Sequence, residues 1–120
     1  MLGLSACALS LSACGYTAPP PKDPYYGKQS YKEAVTAFCD VDKLAGLAAS
    51  EDPFELGRKR TDWLRENVEH PDGIFLRTAI SVKGPGDQAI ALREEAREQG
   101  IASCALADDL EKTGLGGISP

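Results

Sequence analysis

Between residues 30 and 113 the apolar side chains return every three or four positions, in stretches separated by breaks rich in proline and glycine. That period puts them on one face of a helix each time, so the pattern predicts an all-α fold, a small bundle of four to five helices. The first helix opens at Ser30-Tyr31-Lys32-Glu33, a capping box. The Ser30 hydroxyl can accept from the Glu33 N–H, and the Glu33 carboxylate can reach back to Ser30. Its inward stripe is Tyr31, Ala34, Val35, Phe38, Val41, Ala45 and Ala48, and Asp40 and Gly46 are the places where it can break.

Asp52-Pro53-Phe54-Glu55 marks the second start, an acidic N-cap followed by proline at the first helical position. This helix is expected to run to about Glu69 and to bury Phe54, Leu56, Trp63, Leu64 and Val68. Glu55 and Lys59 stand four apart in the favourable order. The run Arg58-Lys59-Arg60 is expected on the same solvated side.

His70-Pro71-Asp72-Gly73 stops that helix, because a residue before proline is pushed out of the helical region. The apolar set Ile74, Phe75, Leu76, Ala79, Ile80 and Val82 fits a helix or a strand by length alone. The β-branched Ile74, Ile80 and Val82 keep a strand open. The centre, with only Thr78 β-branched, and the helical neighbours select a third helix. Lys83-Gly84-Pro85-Gly86 reads as a turn. A fourth helix then runs from about Asp87 to Gln99 with Ala89, Leu92 and Ala96 inward, Ile90 at the margin and Gly100 as a left-handed cap. Ser103 is the expected N-cap of a short last helix carrying Cys104, Leu106, Ala107 and Leu110. Thr113-Gly114 ends it, and residues 114–120 are expected to form a flexible tail.

The first 13 residues carry no charged side chain and are rich in Leu, Ala and Ser, too few to span a bilayer permanently, which takes roughly 20. They end in Leu11-Ser12-Ala13-Cys14, which resembles the lipobox of bacterial lipoproteins. An earlier copy, Leu4-Ser5-Ala6-Cys7, exists, but the apolar run continues to Ala13, and this selects Cys14. The resemblance implies a signal peptide over 1–13, a diacylglycerol on the Cys14 thiol and a further acyl chain, such as palmitate, on its amine. At about 0.8 kcal/mol per buried methylene, such chains hold a protein on a membrane. It also implies the bacterial cell envelope. Gly15 and Tyr16 lack the Asp that resembles an inner-membrane retention signal in enteric bacteria, so the outer membrane is expected. Residues 14–29, with four prolines after the lipidated Cys, then form an extended tether for a domain over 30–113.

The net charge of -5 carries no basic stripe and excludes nucleic acid as a partner. Export leaves Cys39 and Cys104 as an even pair in an oxidising compartment, the expectation being one disulfide between the first helix and the last. Closing a loop of about 65 residues is worth roughly 4 kcal/mol in the chain-entropy model.

Catalytic chemistry is sparse. The sole histidine, His70, precedes Pro71 at a turn and is better suited to capping or solvent than to activating a nucleophile. Asp40, Asp42 and Glu51 fall at places one, three and twelve of an EF-hand-like loop, but Leu44 and Ala45 occupy positions that need an oxygen ligand and a glycine. Glu94-Glu95, Asp108-Asp109 and Glu111 are expected on solvated surface, and Gly114-Leu115-Gly116-Gly117 lacks the Lys-Ser/Thr of a phosphate loop. No catalytic set, metal or cofactor is therefore expected. The expected function is a non-enzymatic interaction or structural lipoprotein with a protein partner in the envelope. In plan it is similar to pilotins, small helical lipoproteins that escort secretin subunits, without sharing a motif with them. The alternative is a carrier of a small apolar ligand between the helices, lined by Trp63, Phe54 and Phe75.

Overall fold

The computed structural model describes residues 27–48 and 51–120. Cys7, Cys14, the lipobox and most of the tether lie outside the described residues. Over the described residues the fold is all-α and built from six helices: α1 Tyr31–Cys39, α2 Val41–Ala45, α3 Pro53–Asn67, α4 Pro71–Ser81, α5 Pro85–Glu98 and α6 Ala105–Thr113.

The extra helix comes from the expected first one, which divides at Asp40. There the backbone leaves helical geometry at φ -105°, ψ 19°, and Gly46 in the left-handed region at φ 69° closes α2. Ser30 and Glu33 make both bonds of the capping box, at 3.0 and 2.8 Å. The Asp52 carboxylate caps α3 through the Glu55 N–H. The His70-Pro71 and Gly84-Pro85 signals act as starts as well as stops. Pro71 and Pro85 take the first position of α4 and α5, where a missing N–H costs nothing and a fixed φ is already helical. Ser103 is not the cap of α6; Cys104 occupies that place and offers no capping bond.

α1 is the central element, touched by each of the other five helices. Ala34, Val35 and Phe38 are completely shielded and meet Leu64, Val68, Leu76, Ile80, Ala89, Leu92, Ala96, Leu106 and Leu110 in one core. Close approach of α4 depends on Gly73, where a Cβ would stand 2.7 Å from Val68 Cγ1 and 2.8 Å from Ala34 Cβ. Cys39 and Cys104 form the expected disulfide with Cα atoms 4.4 Å apart, tying the end of α1 to the start of α6.

Two features of the core depart from the periodic reading. Phe54 is 77% exposed, because it lies in the first turn of α3, at the edge of a shallow hollow shared with Gly116, Gly117 and Ser119 of the C-terminal segment. That segment, over residues 114–120, is not a loose tail. Ile118 is buried in the core, and Ser119 donates its N–H to the Thr61 hydroxyl at 2.9 Å. Its backbone lies so close to α3 that a Cβ on Gly57 would stand 2.8 Å from the Gly117 carbonyl oxygen.

Replacing Cys39 and Cys104 together by Ala is expected to lower unfolding free energy by roughly 4 kcal/mol in urea titrations, since the unfolded chain regains the freedom of the cross-linked loop. A loss below about 1 kcal/mol would contradict a disulfide that constrains the whole bundle.

Candidate functional site

α4 is apolar on both sides. Its inward side, Gly73, Leu76 and Ile80, lies against the core. Its outward side carries Pro71, Ile74, Phe75, Thr78 and Val82, all exposed and none charged. Phe75 is 72% and Val82 79% exposed. Counting about 100° per residue, Pro71, Phe75, Thr78 and Val82 form one stripe spaced four, three and four, the spacing of a helix–helix seam. Phe75 was an expected core or pocket residue. It faces out because Leu76 and Ile80 already fill the space against α1, and a helix cannot turn both faces to one neighbour.

The start of α4 is well fixed. His70 is its N-cap, with Nδ1 accepting from the Asp72 N–H at 3.1 Å. The imidazole is buried and tilts against the Tyr31 ring at 5.7 Å. Gln29 accepts from the N–H groups of Glu69 and His70 and donates to the Asn67 carbonyl, joining the incoming N-terminal chain to the α3–α4 turn. Tyr31 donates its hydroxyl to Glu95 at 2.6 Å. Burial and that carboxylate push its phenol above the ordinary value of 10.0.

Away from α4 lies a polar centre that the periodic reading misplaced. Arg60, expected in solvent with Arg58 and Lys59, is 0% exposed. Its guanidinium grips Asp42 with two bonds, Nε to Oδ1 at 2.7 Å and Nη2 to Oδ2 at 2.6 Å. It also donates to Asp109 at 2.9 Å and to the Gly116 carbonyl at 2.9 Å. α2, α3, α6 and the C-terminal segment therefore converge on one side chain. Burial opposes the charge, but the bonds and charges of the two carboxylates outweigh it and raise the Arg60 pKa. Gln88 does the corresponding work on the other side of the segment. Its amide donates to the carbonyls of Ile80, Lys83 and Ile118, and its oxygen accepts from the Ile118 N–H. Leu56, Arg60, Leu64 and Val68 make an uninterrupted i, i+4 ladder, which was the available signal that Arg60 points inward.

The remaining candidates are occupied in separate places. Asp42 belongs to Arg60 and Glu51 to Lys59 at 2.6 Å, so the EF-hand-like carboxylates serve different cations. Glu55 bonds Arg58, not Lys59 as the four-residue spacing suggested. Asp108 and Glu111 share Arg93, while Asp109 goes to Arg60. Among the described residues, no three ligand-type side chains are placed to hold a metal ion. The expected trio Trp63, Phe54 and Phe75 does not assemble a pocket. Trp63 packs against the core, whereas Phe54 and Phe75 face outward. A hollow of about 590 Å³ beside α5 and α6 is lined instead by Arg93, Ala96, Arg97, Ile101, Ser103 and Cys104 among others. The chain matches no family model, no curated protein and no solved structure.

Arg60→Met should lower stability by about 2 kcal/mol, less than for a sealed ion pair because Asp42 and Asp109 remain 38% exposed and can be resolvated. It should also open residues after Gly114 to carboxypeptidase faster than Arg58→Met does. Equal digestion of the two variants would rule out Arg60 as the clamp on the segment.

Because the folded Tyr31 phenol has the higher pKa, its contribution is complete below pH 10 and is lost as pH rises toward the folded value. Chemical denaturation between pH 8 and 11 should therefore show a steeper alkaline loss for the natural chain than for Tyr31→Phe. Parallel profiles would contradict the Tyr31–Glu95 account.

Proposed function

We propose that this chain is a membrane-anchored bacterial lipoprotein whose helical body is a non-enzymatic interaction domain. Cys14 is the acylated residue, the proline-rich stretch is the spacer, and the outer membrane is the site. The observation that carries the interaction reading is the uncharged, exposed side of α4. Surface helices of globular proteins normally turn charged and polar side chains outward, and a stripe with Phe75 at its centre is the kind of apolar aromatic patch that partners cover. The disulfide and the Arg60 clamp support it, since a closed body can present that stripe with little entropy left to lose on docking. Gln29 supports the spatial side of the proposal: it brings the chain from the anchor into the body beside the first turn of α4.

Metabolic labelling with a fatty acid and cell fractionation test the anchor. Cys14→Ser should lose the label and leave the membrane fraction, and a variant that keeps both would refute lipidation at this residue. Affinity purification from gently solubilised membranes tests the body. A stoichiometric partner should be retained by the natural chain and depleted by Phe75→Ser, whereas equal recovery by the two would remove α4 as the interaction face.

A further inference from the structure

We infer that the outward side of α4 docks against the same side of α4 in a second copy of this chain, as an antiparallel pair about a two-fold axis at Thr78. The inference rests on the interaction reading above and names its partner.

Charge complementarity carries the argument. Apart from Arg77, and Glu69 in the extended turn before the helix where its N–H is held by Gln29, the charges on or next to α4 are Asp72 in the first turn and Lys83 just past the last. Both are exposed, and neither has an ion-pair partner among the described residues. Lys83 keeps nearly helical phase, because its N–H still bonds the Ile80 carbonyl at 2.9 Å. At about 100° per residue, Asp72 and Lys83 fall on the same flank of the stripe, and Arg77 lies about 140° away from it. In an antiparallel helix pair, like flanks face each other. Asp72 lies six residues before Thr78 and Lys83 five after, so at 1.5 Å per residue they come within about 1.5 Å of the same level on opposing helices. Both ends of the seam therefore gain an opposite-charge pair from one two-fold operation.

The apolar positions obey the same register. Phe75 is three residues before the axis and Val82 four after, so each Phe75 meets the Val82 of the other copy. Thr78 meets its own counterpart, and its hydroxyl is already turned back to the Ile74 carbonyl at 3.2 Å, which leaves its methyl for the seam. A parallel pair would put the two Asp72 on opposite sides of the seam at one level and the two Lys83 on opposite sides at another, so neither charge would meet an opposite one.

The seam is one side chain wide and about three helical turns long, well under the roughly 800 Å² per partner of a standard stable interface. Association is accordingly weak in dilute solution and strong where copies are concentrated, as an anchor in a shared bilayer does by raising effective concentration toward the millimolar range.

The test is oxidative crosslinking of the full chain carrying Thr78→Cys, in membranes and, separately, as purified protein in detergent concentrated to that millimolar range. Glu94→Cys, exposed on α5, and the natural chain serve as controls. The expected result is a covalent dimer from Thr78→Cys alone. Added singly, Asp72→Lys or Lys83→Asp should reduce dimer yield roughly fivefold through the two equivalent contacts, and the charge-swapped pair of changes should restore it, with helicity checked for each. No dimer from Thr78→Cys in either setting, equal yields from Glu94→Cys, failure of the swap to restore the yield, or crosslinking of Thr78→Cys to a different protein would each overturn the inference. Fractionation of Cys14→Ser reads the anchor independently. A dimer from purified protein that proves unlipidated would leave this inference standing while refuting the anchor.

Discussion

A single buried helix limits what every other element can do. α1 is in contact with all five of the others, and its Ala34, Val35 and Phe38 are completely covered. Each outer helix can give α1 only one face, so an outer helix with apolar residues on two faces must leave one of them in water. α4 is in that position. Gly73 lets it approach α1 to within the space of a missing Cβ, Leu76 and Ile80 fill the contact, and Phe75 and Val82 are left outside. The exposed stripe is thus a consequence of how the core is filled, and among the described residues no other helix presents such a row without charge.

The rest of the molecule holds this arrangement still. The Cys39–Cys104 bond joins the first helix to the last, while Arg60 and Gln88 fasten the C-terminal segment against α3 and α5. Buried charge of the Arg60 kind contributes less net stability than its short bonds suggest, since desolvation offsets much of the attraction. Its stronger effect is on geometry. A planar guanidinium that must satisfy Asp42, Asp109 and the Gly116 carbonyl together allows α2, α6 and the C-terminal segment only one mutual placement.

Local rules carried the sequence reading a long way. Capping at Ser30 and Asp52, the helical period of Ala89, Leu92 and Ala96, the left-handed Gly100 and the pairing of two cysteines are short-range or compositional signals, and each matches the fold. What the period could not supply was which of two apolar faces of α4 would win the core, because that depends on the neighbour and not on the helix. The roles of Arg60 and Gln88 were hidden for a related reason: the Leu56, Arg60, Leu64 and Val68 ladder could turn Arg60 inward, but residue type argued for solvent, and the partners lie 18 to 56 residues away in sequence for Arg60 and up to 30 for Gln88. The C-terminal segment has no helical period, and nothing local told the buried Ile118 from the exposed Leu115.

Phe54 and Phe75 provide an internal comparison, being exposed to nearly the same extent on different elements of one body. Hydroxyl-radical footprinting of the full chain in membranes from cells that express it, with oxidation of each phenylalanine read by mass spectrometry and compared with dilute purified protein, asks directly whether α4 is covered. The account predicts that Phe75 is protected in the membrane while Phe54 stays as reactive as in the purified protein. Equal reactivity of Phe75 in the two settings would contradict it.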